Sequence, residues 1–175
     1  MTDKAPTYPD LLRSATERAV HLEMRDIYTV EGEQERITAW RAGHRWDRAD
    51  RTSWWRPWLD LVVETAARGV VLRRGRIVSE PLSEYLRYSH SYAFTNVEAG
   101  EELRWLPRRR ASDLALPGND FWLVDHRLVL FNHFDGEGRP TGVEVSEDPD
   151  VVKLCSSAFE AVWERGVDHD AYQPS

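Results

Sequence analysis

Four groupings of side chains have the types and spacings that chemistry needs. Asp125, His126, His133 and Asp135 combine carboxylates with imidazoles, which is metal-ligand chemistry. His133 and Asp135 are two apart and share one face of a strand. His126 falls on the opposite face, zinc sites use tighter ligand spacing, and no cysteine lies near. These are read as surface groups around a turn at Asp125, with no metal and no cofactor expected. Arg76, Glu80, Tyr85 and Arg87 surround a helix start read at Pro81. A helix N-terminus offers free N–H groups and a positive dipole end. Arginines add charge-assisted bonds. With Asp125, these four residues form a candidate site for a small anion, unless Glu80 is spent in a salt bridge to an arginine. Arg73, Arg74 and Arg76 on one strand, and Arg108, Arg109 and Arg110 in a loop beside Trp105, could contact a nucleic-acid backbone. The competing reading is a solvated face or pairing with acidic residues elsewhere. Finally, Trp46, Trp54, Trp55 and Trp58 crowd one short segment. Trp54 and Trp55 are neighbours and cannot both face one core from a regular element. Either the set presents an interface anchor, or it clasps the N-terminal segment onto the rest.

The elements that must position these groups follow from periodicity and punctuation. A helix is read over residues 7–16, with Leu11, Leu12 and Ala15 on one face. A strand is read over 19–30, where Val20, Leu22 and Met24 alternate with His21, Glu23 and Arg25. A second helix over 31–42 stops at Gly43. Residues 44–55 are polar and aperiodic, a loop. Pro57 opens a helix that Gly69 ends, and a strand with a basic outer face follows over 70–78. A helix from Pro81, a short strand over 102–106, and three strands over 121–124, 127–134 and 141–146 come next. The last three turn at Asp125 and at Gly136–Pro140. Asp148 and Pro149 start a final helix to about Arg165, whose buried face carries Val152, Cys155, Phe159, Val162 and Trp163. This order defines an α/β (α+β) class, with one mixed β-sheet flanked by helices. Residues 57–166 are read as the core. Residues 1–56 are an appended helix–strand–helix extension or supply an edge strand, and 167–175 are a frayed tail.

Bulk properties bound the function. The chain has 175 residues, 41% hydrophobic and 30% charged, which fits one folded domain rather than a disordered chain. No apolar run approaches the ~20 residues of a membrane helix. The opening residues lack the order of a secretory signal, and one cysteine suits a reducing cytosol, so a cytoplasmic location is expected. The net charge of −7 is uneven. Residues 68–110 carry nine basic and five acidic side chains, and residues 111–175 carry four basic and thirteen acidic. An acidic chain repels nucleic acid overall.

The piece LPGNDFWLVDHRLVLFNHF over residues 116–134, with a helix ending Ala66-Ala67-Arg68-Gly69-Val70, resembles one half repeat of the phospholipase D fold. That superfamily's signature is His, any residue, Lys, four residues, then Asp. Set on Asp125, the Lys position holds Asp120 and the His position holds Gly118. The resemblance therefore implies the scaffold without its nucleophile. The phrases LEMRDIY, PWLDL, RIVSEPLSEYLR, LPRRRASDLALPGNDFWLVD and AFEAVWERG resemble an actinobacterial family of domains of unknown function, family 6879. Its members are commonly encoded beside helix-turn-helix regulators of the XRE type.

The reading that results is a non-catalytic, cytosolic interaction or regulatory domain, with a helix-turn-helix transcription regulator as its expected partner in a toxin–antitoxin-like or developmental switch. A homodimer is compatible with it. The first alternative is a sensor of a small anionic ligand or nucleotide. The second is a toxin-type nuclease or phosphodiesterase with a non-standard site.

Overall fold

The computed structural model describes residues 6–174. Strands β1 (Arg18–Glu23), β2 (Val71–Val78), β3 (Glu102–Pro107), β4 (Asp120–Val124), β5 (Leu128–Phe134), β6 (Pro140–Ser146) and β7 (Val167–Asp168) form one mixed sheet in the order β6-β5-β4-β1-β2-β3-β7. Helices α1 (Tyr8–Ser14), α2 (Gln34–Arg41), α3 (Pro57–Ala67), α4 (Glu84–Ala99) and α5 (Pro149–Arg165) cover it. β1, β2 and β3 run parallel and are joined by helical crossovers, as parallel neighbours require. β4, β5 and β6 form an antiparallel meander laid beside β1. Asp125 and His126 have φ of 49° and 52°, a two-residue turn whose twist matches its strands.

Alternation along each strand sorts side chains to two cores. On one face Ala19, Leu72, Trp122 and Leu130 pack beneath Leu11 and Leu12 of α1, Leu59 and Val62 of α3, and Tyr92 of α4. On the other, Val20, Leu22, Ile77, Phe121 and Leu123 pack against Cys155, Phe159 and Val162 of α5. Each fully buried Leu or Phe side chain contributes about 2–3 kcal/mol of transfer free energy. Asp148 caps α5, accepting from the Asp150 N–H at 2.8 Å, with Pro149 in the first turn.

Several expectations change. The extension expected over 1–56 is part of the core, because its strand, β1, sits between β4 and β2 near the middle of the sheet. The strand with a basic outer face has no outer face there: helices cover both sides, and Arg74 and Arg76 are buried. No helix starts at Pro81. α4 begins at Glu84, capped by Ser83 Oγ accepting from the Leu86 N–H at 3.1 Å. The tail expected to fray instead pairs β7 with β3, and Tyr172 stacks on Trp105 at 5.6 Å. Residues 1–5 and Ser175, which that extension and tail include, lie outside the described residues. No helix among the described residues is long and apolar enough to cross a membrane.

Candidate ligand-binding site

The covered face of the sheet does not close completely. Between it and α4 lies a cavity of about 290 Å³. Its floor is two rows of side chains set by strand register. Arg76 on β2 pairs with Glu23 on β1, and Asp120 on β4 pairs with Asn132 on β5. One step along, Arg74 pairs with His21, and His21 with Trp122. Tyr85, Tyr88, Ser89 and Tyr92, one stripe of α4, form the roof. Tyr8, Tyr28, Trp58 and Phe134 close the sides, and Arg56 reaches in from the start of α3.

The floor is charged although it is buried: His21, Glu23, Arg74 and Arg76 are each at most 9% exposed. Arg74 Nη1 donates to Glu23 Oε1 and its Nε to Glu101 Oε1, both at 2.9 Å. Arg76 Nη1 donates to Ser89 Oγ at 2.6 Å. Arg76 Nε lies 2.6 Å from Glu23 Oε2, a close ion pair. Burial opposes the charge on Glu23, but the Arg76 and Arg74 guanidiniums prevail and hold it down at about 2. His21 stacks on Trp122 with ring centroids 4.3 Å apart. Burial drives its pKa down to about 3, so the ring is a neutral imidazole, and its Nδ1 carries no hydrogen bond.

Asp120 is buried at 2% exposure. It accepts from the Met24 N–H at 2.8 Å and the Tyr28 hydroxyl at 2.5 Å. Burial raises its pKa to about 6, and Glu23 pushes in the same direction. Arg56 donates to Thr95 Oγ1 at 2.9 Å and to Asn96 Oδ1 at 2.6 Å. Burial lowers its pKa, and no described carboxylate is within ion-pair distance of it.

Of the candidate residues read from the sequence, Arg76 and Tyr85 line this cavity. Glu80 accepts from the Tyr172 hydroxyl at 2.8 Å, and Arg87 donates to the Leu82 carbonyl at 2.8 Å. Asp125 accepts from the Thr16, Glu17 and Arg18 N–H groups, each at 2.9 Å, tying the start of β1 to the β4–β5 turn. Trp58 borders the cavity, Trp54 is buried, and Trp46 and Trp55 pack against the same core. The arginines do not form one patch. Arg73 lies over Trp163, Arg74 and Arg76 face the cavity, Arg108 donates to the Met24 carbonyl, Arg109 pairs with Glu80 at 3.4 Å, so Glu80 is spent in a salt bridge to an arginine, and Arg110 is exposed. No group of three or more metal-ligating side chains with the geometry to hold an ion occurs among the described residues. The sequence reading missed His21, Glu23, Arg56, Asp120, Trp122 and the α4 stripe. Their signal was parity: His21 and Glu23 share the face of Ala19, and Arg74 and Arg76 that of Leu72 and Val78, all apolar and buried.

This architecture is similar to that of a solved phospholipase D family member, Nuc from Salmonella typhimurium. The TM-score is 0.50 with 12% identity, covering 91% of this chain and 86% of that one. The chain has a phospholipase D-like fold. It belongs to the family described as a domain of unknown function (DUF6879), whose model matches residues 6–174. A further similarity is to the archaeal chromatin protein TrmBL2, whose structure shows a novel mode of DNA binding. There the TM-score is 0.47 with 18% identity, and the match spans 90% of this chain but 47% of that protein. The search of curated proteins found no match.

Proposed function

We propose that this domain is a non-catalytic small-molecule-binding module that uses the phospholipase D-like scaffold to hold a ligand between the sheet and α4. One observation carries this: His21, Glu23, Arg74 and Arg76, all buried, converge with Arg56 and Asp120 on one cavity, and His21 Nδ1 there has no hydrogen-bond partner. Folding alone gains little from such a floor, since apolar residues of similar volume are as stable or more so than a buried ion-pair network. Converging polar groups ringed by aromatic side chains are what a ligand pocket requires. Phosphoryl transfer fits poorly. Gly118 supplies no nucleophile, and no lysine is among the residues that line the cavity.

A thermal-shift screen over nucleotides, sugars, amino acids and organic acids tests this. A ligand at a hundred times its Kd stabilises by about 2.7 kcal/mol. At 2–4 °C per kcal/mol for a chain of this size, that raises the Tm by roughly 5–10 °C. If no class moves the Tm, the proposal fails. Ligand occupancy would be read out by a protein partner. The helix-turn-helix regulator implied by the family resemblance is the partner to test, by co-purification with and without the stabilising compound.

A further inference from the structure

Most charges around the cavity are answered within the protein. Glu23 is shared by Arg74 and Arg76, and Glu101 pairs with Arg74 and accepts from Asn96. Glu33 lies 3.8 Å from Arg36 and accepts from the Tyr85 hydroxyl. Two lining charges have no opposite charge within ion-pair distance among the described residues. Asp120 is bonded to a backbone N–H and a phenol, with Arg25 acting on it through space, and Arg56 is bonded to a hydroxyl and an amide and interacts with Tyr92. They have opposite signs and stand on opposite sides. Asp120 is on β4. Arg56 sits on Asn96, which bonds Glu101, the partner of Arg74 on β2. From β4 to β2 is two strand spacings, about 10 Å. The space between is walled by rings: Trp122 has Trp58 and Tyr8 within 6.4 Å, and Tyr28 has Phe134 at 5.4 Å. Arg56 itself lies over the Tyr92 ring at 4.8 Å.

From this we infer that the ligand is a zwitterion with separated charges, its protonated amine held by Asp120, its acid group by Arg56, and an apolar or aromatic body between. An α-amino acid carries its two charges too close together to span the floor, whereas an ω-amino acid or a dipeptide reaches. Asp120 thereby becomes the specificity-determining residue, selecting a cationic group. His21 Nδ1, which has no hydrogen-bond partner in the protein, adds acceptor capacity beside the amine.

This inference rests on the proposed function, and its test separates the two. Calorimetric titrations would compare ε-aminocaproate and glycyl-phenylalanine with the half-ligands phenethylamine and phenylpropionate. The dipeptide is expected to bind most tightly. Asp120→Asn and Arg56→Gln are each expected to weaken it by roughly tenfold to a hundredfold, the usual effect of removing one charged hydrogen-bond partner. Asp120→Asn should leave phenylpropionate binding intact, and Arg56→Gln should leave phenethylamine binding intact. Those retained half-affinities also show that each variant is folded. If zwitterions and halves bind no better than a neutral amide, while another class from the screen does, this inference is overturned and the binding module stands. If no compound of any class binds, both fall.

Discussion

Two residues in the cavity respond to pH in opposite senses. Asp120 has its pKa raised by burial to about 6 from an ordinary 3.8, so the native state holds that proton more tightly than the unfolded chain does. Its contribution to stability grows as the pH falls through the window from about 6 to about 4, and is absent at neutral pH. His21 has its pKa lowered by burial from 6.5 to about 3, so the stability of its neutral ring is present above 6.5 and lost as the pH falls toward 3. Asp120→Asn removes the first effect and leaves the second. Urea unfolding between pH 6 and pH 4 should therefore show the variant losing stability more steeply than the wild type; parallel curves would contradict this. Asp125 was legible from the sequence as a turn residue, but its four acceptor contacts to Thr16, Glu17 and Arg18 were not, because they cross more than a hundred positions. Burial works against its charge, but the backbone N–H groups of Arg18, Glu17 and Thr16 keep its pKa low. Asp125→Ala should cost about 2 kcal/mol near neutral pH, measured by urea unfolding, with the difference shrinking in acid as the wild-type carboxylate protonates.

At the scale of elements, caps and periodicity located α3 and α5 closely, since Pro57, Asp148 and Pro149 act through neighbouring backbone alone. The start of α4 was misplaced because two signals competed. Pro81 fits a first helical turn, but Ser83 caps the helix, and Ser83 Oγ and Ser79 both bond to Asp26 in the loop after β1. That tertiary contact has no local sequence mark. The packing of α5 on the sheet depends on Gly75, where a Cβ would meet Val162 Cγ1 at 3.3 Å and Leu22 Cδ1 at 3.4 Å. Gly75→Val should therefore destabilise by about 1–3 kcal/mol through overpacking, seen as a lower urea midpoint. Tyr172→Ala removes a ring that is 5% exposed and stacked on Trp105. A loss of about 3 kcal/mol is expected, and a loss near zero would mean that the C-terminal segment is not part of the core.

For the whole molecule, the mixed α/β class follows from the order of elements, whereas the central place of β1 does not. Strand order depends on pairings between residues far apart in the chain, and period-two alternation is the same at an edge as at the centre. The buried charges were hidden for a related reason. Arginines on a strand read as solvent-facing unless both faces of the sheet are known to be covered, and the two crossovers in β1–β2–β3 imply that they are. The central claim is that the space above those charges holds a small ligand. The eight tryptophans supply the most direct test, because only Trp58 and Trp122 among them line the cavity. In a proton–nitrogen correlation spectrum, titration with the stabilising compound should move the indole N–H resonances of Trp58 and Trp122 and leave that of Trp163, on the other face of the sheet, in place. Movement of Trp163 alone, or of none at saturating compound, would contradict the account.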